Sequence, residues 1–201
     1  MNFLAHILLA RHSDDAMLGA LLGDFCRPGQ ERDFSVETQR EILIHRKVDA
    51  FTDSHPLVRE AKTQFREHTR RFAGIALDVF YDHVLAANWA RYSDQALDTF
   101  TRDFYRVLLA RRSSLPDSAA TVAQYMTSQD WLGSYIDFEG ARLAVRRISR
   151  RLSKNGERLA EAADDLETHY ARFATGFHAF FPELQDFAAR TREHMSTQPT
   201  S

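Results

Sequence analysis

A chain of 201 residues, 44% hydrophobic and 27% charged, is long enough for one well-buried domain and has an ordinary soluble balance. Its 28 acidic and 26 basic side chains nearly cancel, so no global field marks it as a binder of nucleic acid or of a membrane surface, and a charge-guided partner must be met by a local patch. Cys26 is the single cysteine, which excludes an internal disulfide and a thiolate zinc site and suits a reducing compartment.

The opening MNFLAHILLARHSDD has no cationic region ahead of its short apolar run, and no later stretch approaches the length needed to span a bilayer, so the chain reads as cytoplasmic. Residues 2–11 read as a short helix capped by Asn2, with Phe3, Leu4, Ile7, Leu8 and Leu9 projecting almost all the way round it. Such a helix is buried. His6, among those apolar neighbours, therefore needs either a hydrogen-bond partner or a metal. Ser13, Asp14 and Asp15 start a second helix, in which Gly19 and Gly23 permit close approach of a neighbouring backbone. Asp24 falls on its last turn, ahead of the breaker Cys26-Arg27-Pro28-Gly29. The helix dipole disfavours a carboxylate there, which either a nearby cation or plain surface exposure would explain.

Ser35 to Ser54 reads as one amphipathic helix with Ser35 as N-cap and Pro56 beyond its end. Val36, Leu43, Ile44, Val48, Ala50 and Phe51 fill one arc, and His45, Asp49, Thr52 and Asp53 the opposite one, with Arg46 at its edge. The i, i+4, i+8 spacing of His45, Asp49 and Asp53 stacks an imidazole and two carboxylates over two turns, either as a solvated face or as a row of ligands. Ile42 projects between Asp49 and Asp53, which indicates that this face is covered.

A helix expected from Pro56 to about Phe72 carries Arg59, Lys62, Arg66 and Arg70 on one stripe, equally a solvated face or a docking surface. Gly74 then introduces a central helix in which Asp78 and Asp82, one turn apart, share the surroundings of Leu85 and Trp89. Two such carboxylates resist desolvation and repel each other, a conflict that a metal or a buried arginine would resolve. His83 projects about 100° from Asp82, and is either a partner of a ligand or simply packed. Ser93 and Asp94 are expected to start a helix through about Arg112, and Pro116 and Asp117 one to about Gln129, with Trp131, Tyr135 and Phe138 following as core aromatics. A helix from Phe138 to Leu152 brings Arg146 and Arg150. Between Gly140 and Arg158 seven basic side chains face a single acidic one, a patch equally suited to solubility or to an acidic partner. After Asn155 and Gly156 a long helix is expected to reach Phe181, with Pro182 breaking or kinking it. No alternating strand pattern occurs. The expectation is one all-α domain over residues 1–195, followed by a disordered tail at 196–201.

His6, Asp24, His45, Asp49, Asp53, Asp78 and Asp82 form a mixed nitrogen and oxygen set on four helices. Rich in carboxylate and without thiolate, it suits Mn²⁺, Mg²⁺ or Fe²⁺ better than structural zinc. Phosphate-loop, HExxH and repeated Glu-x-x-His patterns are absent from the sequence. A cation so held would lower the pKa of a bound water and polarise a phosphoryl oxygen, with Arg46 placed to offset the phosphate charge; the implied reaction is phosphoester hydrolysis.

The segments NFLAH, GALLGDF, HRKVDAFTDS and LDVFYDHVLA, in this order, resemble the acyl carrier protein phosphodiesterase (acyl carrier protein hydrolyase) family, an atypical branch of the His-Asp metal-dependent phosphohydrolases. The likeness covers most of the chain and is strongest over residues 1–90. It implies the helical fold of those hydrolases, a preference for Mn²⁺, and hydrolysis of holo acyl carrier protein to the apo protein and 4′-phosphopantetheine. It carries over His6, Asp24, His45 and Asp82 as metal-site candidates, with Asp49, Asp53 and Asp78 as ligands or supporting groups. The chain departs from the wider superfamily in having no His-Asp dipeptide, only the reversed Asp82-His83, so the paired ligands must come from elsewhere. Acyl carrier proteins are small and acidic, so either Arg59 with Arg66 or Arg146 with Arg150 would steer one in. A related enzyme for a nucleotide or other small phosphoester, and a non-enzymatic helical module holding its acids in ion pairs, remain the competing readings.

Overall fold

The structure is a computed structural model that describes residues 2–197. Among the described residues it has eleven α-helices and no strand: α1 (Phe3–Leu9), α2 (Asp14–Leu22), α3 (Val36–Ser54), α4 (Pro56–Thr63), α5 (Ala73–Ala87), α6 (Leu97–Ala110), α7 (Asp117–Ser128), α8 (Trp131–Ser134), α9 (Phe138–Ser149), α10 (Gly156–Thr168) and α11 (Tyr170–Thr197). None of them is long and apolar enough to cross a membrane.

Local chemistry sets several helix starts. Ser13 Oγ accepts from the Ala16 amide and Ser35 Oγ from the Thr38 amide, each satisfying a donor that the first turn leaves free, and Pro56 occupies the first turn of α4. Asn2 precedes α1 but makes no such cap; its amide nitrogen donates to the Tyr135 hydroxyl instead, at 2.7 Å. Ser93 likewise forms a turn with Gln95 rather than opening a helix, and α6 starts at Leu97.

The inward side of α3 carries polar side chains beside apolar ones. Thr38, Glu41, Ile42, His45 and Thr52 are buried together with Ile44 and Val48 of the expected apolar arc, whereas Val36 and Leu43 of that arc are exposed. Two neighbours make this tolerable. On one side α2 comes so close that a Cβ at Gly19 would strike the Thr38 carbonyl and one at Gly23 the His45 ring. On the other, Arg192 of α11 grips both Glu41 oxygens at 2.6 and 3.0 Å and donates to the Leu9 carbonyl.

Helix ends depart most from expectation. The helix from Pro56 stops at Thr63, because buried Asp165 of α10 draws in the segment beyond it, accepting from Arg66 Nε and from Thr69 Oγ1, both at 2.6 Å. The long C-terminal helix is interrupted at His169 and runs through Pro182. Phe177, Phe180, Phe181 and Leu184 are fully buried around that proline, so packing outweighs the roughly 3 kcal/mol that an interior proline costs. Ser196 and Thr197, expected in the tail, finish α11; residues 198–201 lie outside the described residues.

Candidate metal centre

Four side chains from three adjoining elements meet above the buried side of α3. His6 comes from α1, His45 and Asp49 from one side of α3 a turn apart, and Asp24 from the turn after α2. His6 Nε2 lies 3.0 Å from Asp49 Oδ1, while His45 Nε2 lies 3.1 Å from Asp49 Oδ2 and 3.4 Å from Asp24 Oδ1. The two imidazoles stack with centroids 3.8 Å apart. Donor atoms of His6, His45 and Asp49 all fall within 4.8 Å of one another, and Asp24 stands at the edge of that trio. The histidines are buried to 2% exposure and form the floor; Asp24 and Asp49, at 45% and 38%, form a mouth open to solvent.

Ligand geometry is fixed from behind. His45 Nδ1–H donates to the Ala20 carbonyl at 2.6 Å, which leaves Nε2 as the nitrogen facing the two carboxylates. A lone pair pointed at two anions is repelled unless a proton or a metal ion lies between. Burial alone would lower the His45 pKa, but Asp24 and Asp49 carry it up to about 9. His6 goes the other way: burial, and then the His45 charge, bring it down to about 4, so it presents a neutral nitrogen. Asp49 is pushed up by burial, yet its hydrogen bonds to His45 and His6 hold it well below the usual carboxylate range. Two neutral nitrogens and two carboxylates would match the charge of a divalent cation, so the donor set fits the ion that the sequence implies.

The remaining sequence candidates separate clearly. Asp82 is fully buried on α5, and its oxygens accept from the Leu4 amide at 2.8 Å and the Ala5 amide at 3.0 Å. It is therefore not among the converging donors; it satisfies free amides at the start of α1 and so fixes the helix that carries His6, while burial raises its pKa to about 7. Asp53 projects outward, 72% exposed, in an ion pair with Lys62 at 2.7 Å, which removes it from the site. Burial raises the Asp78 carboxyl, and the charges of Asp49 and Asp53 add to that rise. His83 is committed elsewhere, to the Tyr135 carbonyl at 2.8 Å and the Tyr170 hydroxyl at 2.7 Å. Arg46 donates to the Cys26 carbonyl at 2.7 Å, tying down the turn that carries Asp24. The Ala20 carbonyl and the Gly23 cradle were not read as parts of the site; the Gly19/Gly23 spacing, already read as close approach, was their signal.

A profile of the family described as acyl carrier protein phosphodiesterase matches residues 1–184. This chain belongs to that family. It is 36% identical over 189 residues to an acyl carrier protein phosphodiesterase of Klebsiella pneumoniae subsp. pneumoniae, covering 94% of this chain and 97% of the relative. To the protein of the same description from Escherichia coli O6:H1 it is 34% identical over 191 residues, covering 94% and 98%. No solved structure matches the chain. Within this acyl carrier protein phosphodiesterase family member, every donor of the candidate centre lies inside the matched region.

Proposed function

We propose that this protein hydrolyses holo acyl carrier protein to apo carrier and 4′-phosphopantetheine, with a divalent cation, preferentially Mn²⁺, held by His6, Asp24, His45 and Asp49. The convergence of the two histidines on Asp49 at 3.0 and 3.1 Å carries this reading, together with the family to which the chain belongs. In the reaction the bond between phosphorus and the carrier's serine oxygen breaks; the water oxygen remains on the phosphate of 4′-phosphopantetheine and the serine oxygen takes a proton. A bound divalent cation supplies an activated water and polarises the phosphoryl oxygen. The protein's own groups divide the rest of the work. His6 and His45 bind from the floor, Asp24 and Asp49 bind from the mouth, and Arg46 holds the Asp24 turn and offsets phosphate charge. Burial raises the Asp78 carboxyl, which makes it the side chain to test as a proton donor to the leaving serine oxygen.

Of the two basic stretches, the one around α9 keeps more charge free to attract an acidic carrier. Arg66 is consumed by Asp165 and Lys62 by Asp53, which dismantles the stripe begun by Arg59, whereas among the described residues the Arg146 side chain has one long ion pair, to Glu139 at 3.9 Å, and Arg150 is exposed.

Incubation with holo carrier and Mn²⁺, followed by intact-mass spectrometry, is expected to convert the carrier to its apo mass with release of 4′-phosphopantetheine. Chelation should stop it. Full turnover with metal verified as absent would remove the cation from this reading, and hydrolysis of nucleotides in preference to holo carrier would reassign the substrate.

A further inference from the structure

Beside the N-terminal end of α1, between it and α8 and α9, lies a cavity of about 120 Å³. Phe3, Trp131, Tyr135, Ile148, Arg147 and Arg151 line it. Arg147 on α9 and Arg151, just past the end of that helix, set their guanidinium carbons 5.4 and 5.8 Å from the Trp131 ring. Arg142, earlier on the same helix, is by contrast spent on Glu139, Asp164 and Glu167. The arginines on and just past α9 thus fall into a structural member and a pair turned toward an aromatic-walled cavity.

The cavity and the metal centre share α1, Phe3 lining the one and His6 belonging to the other. Phe3 and His6 lie one turn apart on α1, about 5 Å along the axis. Phe3 also stacks on Phe25, with centroids 6.3 Å apart, and Phe25 follows Asp24 in the chain. In the substrate the scissile bond lies at the base of the prosthetic arm. With phosphorus at the centre, the carrier's body must therefore sit at the mouth formed by Asp24 and Asp49, and the arm must leave in another direction. Size and lining suit that arm. The volume is below the roughly 300–1,000 Å³ of sites that enclose whole small molecules, which suits the thin end of a chain better than a nucleotide. Guanidinium donors complement amide carbonyls, and Trp131, Phe3 and Ile148 complement methylenes and a thiol.

We propose that this cavity is the subsite for the pantetheine arm, with Arg147 and Arg151 donating to its amide carbonyls and the thiol end packed against Trp131 and Ile148. The proposal rests on the carrier phosphodiesterase reading and assigns it a direction: arm toward α9, carrier toward the mouth.

The test has two arms. Pantetheine without phosphate, titrated into the Mn²⁺-loaded protein, should saturably change tryptophan fluorescence, and the change should vanish in Ala144→Phe, which fills the cavity from α9. In kinetics, kcat/KM for holo carrier relative to that for bis(4-nitrophenyl) phosphate, a diester without an arm, should fall roughly tenfold or more in Ala144→Phe and in the double variant Arg147→Gln, Arg151→Gln. Circular dichroism checks folding, and the double variant serves if Ala144→Phe fails to fold. An unchanged ratio, or no saturable response to pantetheine in the wild type, overturns the subsite. Hydrolysis of the arm-free diester but not of holo carrier would instead defeat the functional reading, while the pantetheine titration still decides what the cavity holds.

Discussion

At His45 a proton and a divalent cation compete for one lone pair. With its folded pKa near 9 and its ordinary value at 6.5, metal-free His45 is cationic at neutral pH and must lose that proton to bind metal. Below pH 9, Mn²⁺ affinity should therefore rise about tenfold per pH unit, and calorimetry at pH 7 in buffers of different ionisation enthalpy should find close to one proton released per metal. His6, down near pH 4, contributes no proton in that range. The same shift predicts that His45 stabilises the metal-free fold fully below about pH 6.5 and that this contribution is lost as pH rises through 9, measurable by urea unfolding with chelator present. A flat affinity profile between pH 6.5 and 9 would mean that His45 is not a ligand. Alanine at Asp24, His45 or Asp49 should lower turnover on the order of 100-fold or more with helicity retained, whereas Asp53→Ala, which loses only an exposed pair with Lys62, should stay near wild type. The i, i+4 pair of His45 and Asp49 was legible in the sequence because one helix holds both. Asp82 was not. A buried carboxylate is satisfied equally by a metal or by amide donors, and only the tertiary placement of α1 shows which.

The elements that carry the ligands are set by features outside the ligands. Asp82→Ala removes the acceptor for two buried amides of α1, which should cost about 1–3 kcal/mol in urea unfolding and, by loosening the helix that bears His6, weaken Mn²⁺ binding as well. Gly23→Ala tests the opposite wall, since its Cβ would overlap the His45 ring; metal affinity should drop roughly tenfold or more while circular dichroism stays helical. Normal Mn²⁺ affinity in Gly23→Ala would show that α2 does not position His45. Helix starts such as Ser13, Ser35 and Pro56 could be read from the chain because a cap is local chemistry. The stop at Thr63 could not, since it depends on Asp165 a hundred residues away gathering Arg66 and Thr69. The inward face of α3 was half legible: Ile42 betrayed that the polar side is covered, but the partner of Glu41 is Arg192, far along the chain.

Across the whole molecule the basic residues sort by what they touch. Arg66 bonds buried Asp165 and the Glu161 carbonyl, so Arg66→Glu with Arg59→Glu should lower Tm, with a loss of stability held to roughly 1–3 kcal/mol because Arg66 is itself half exposed, and with kinetics of the folded fraction little altered. Arg146 and Arg150 carry no comparable structural duty; Arg146 lies on α9 and Arg150 at its end, next in sequence to the cavity-lining Arg147 and Arg151. If the carrier's acidic surface docks there, reversing both charges should raise KM for holo carrier several-fold at low salt and flatten its dependence on ionic strength, because the attraction being screened has been removed. The metal centre is untouched, so kcat should hold, and so should hydrolysis of an arm-free diester. That pattern differs from the one expected at Arg147 and Arg151, where loss of contacts to a neutral arm should persist at high salt. A KM for holo carrier that is unchanged in the Arg146 and Arg150 reversal, across salt, would leave α9 with the arm alone and send the search for the carrier's contact to the charged rim around Asp24 and Arg27.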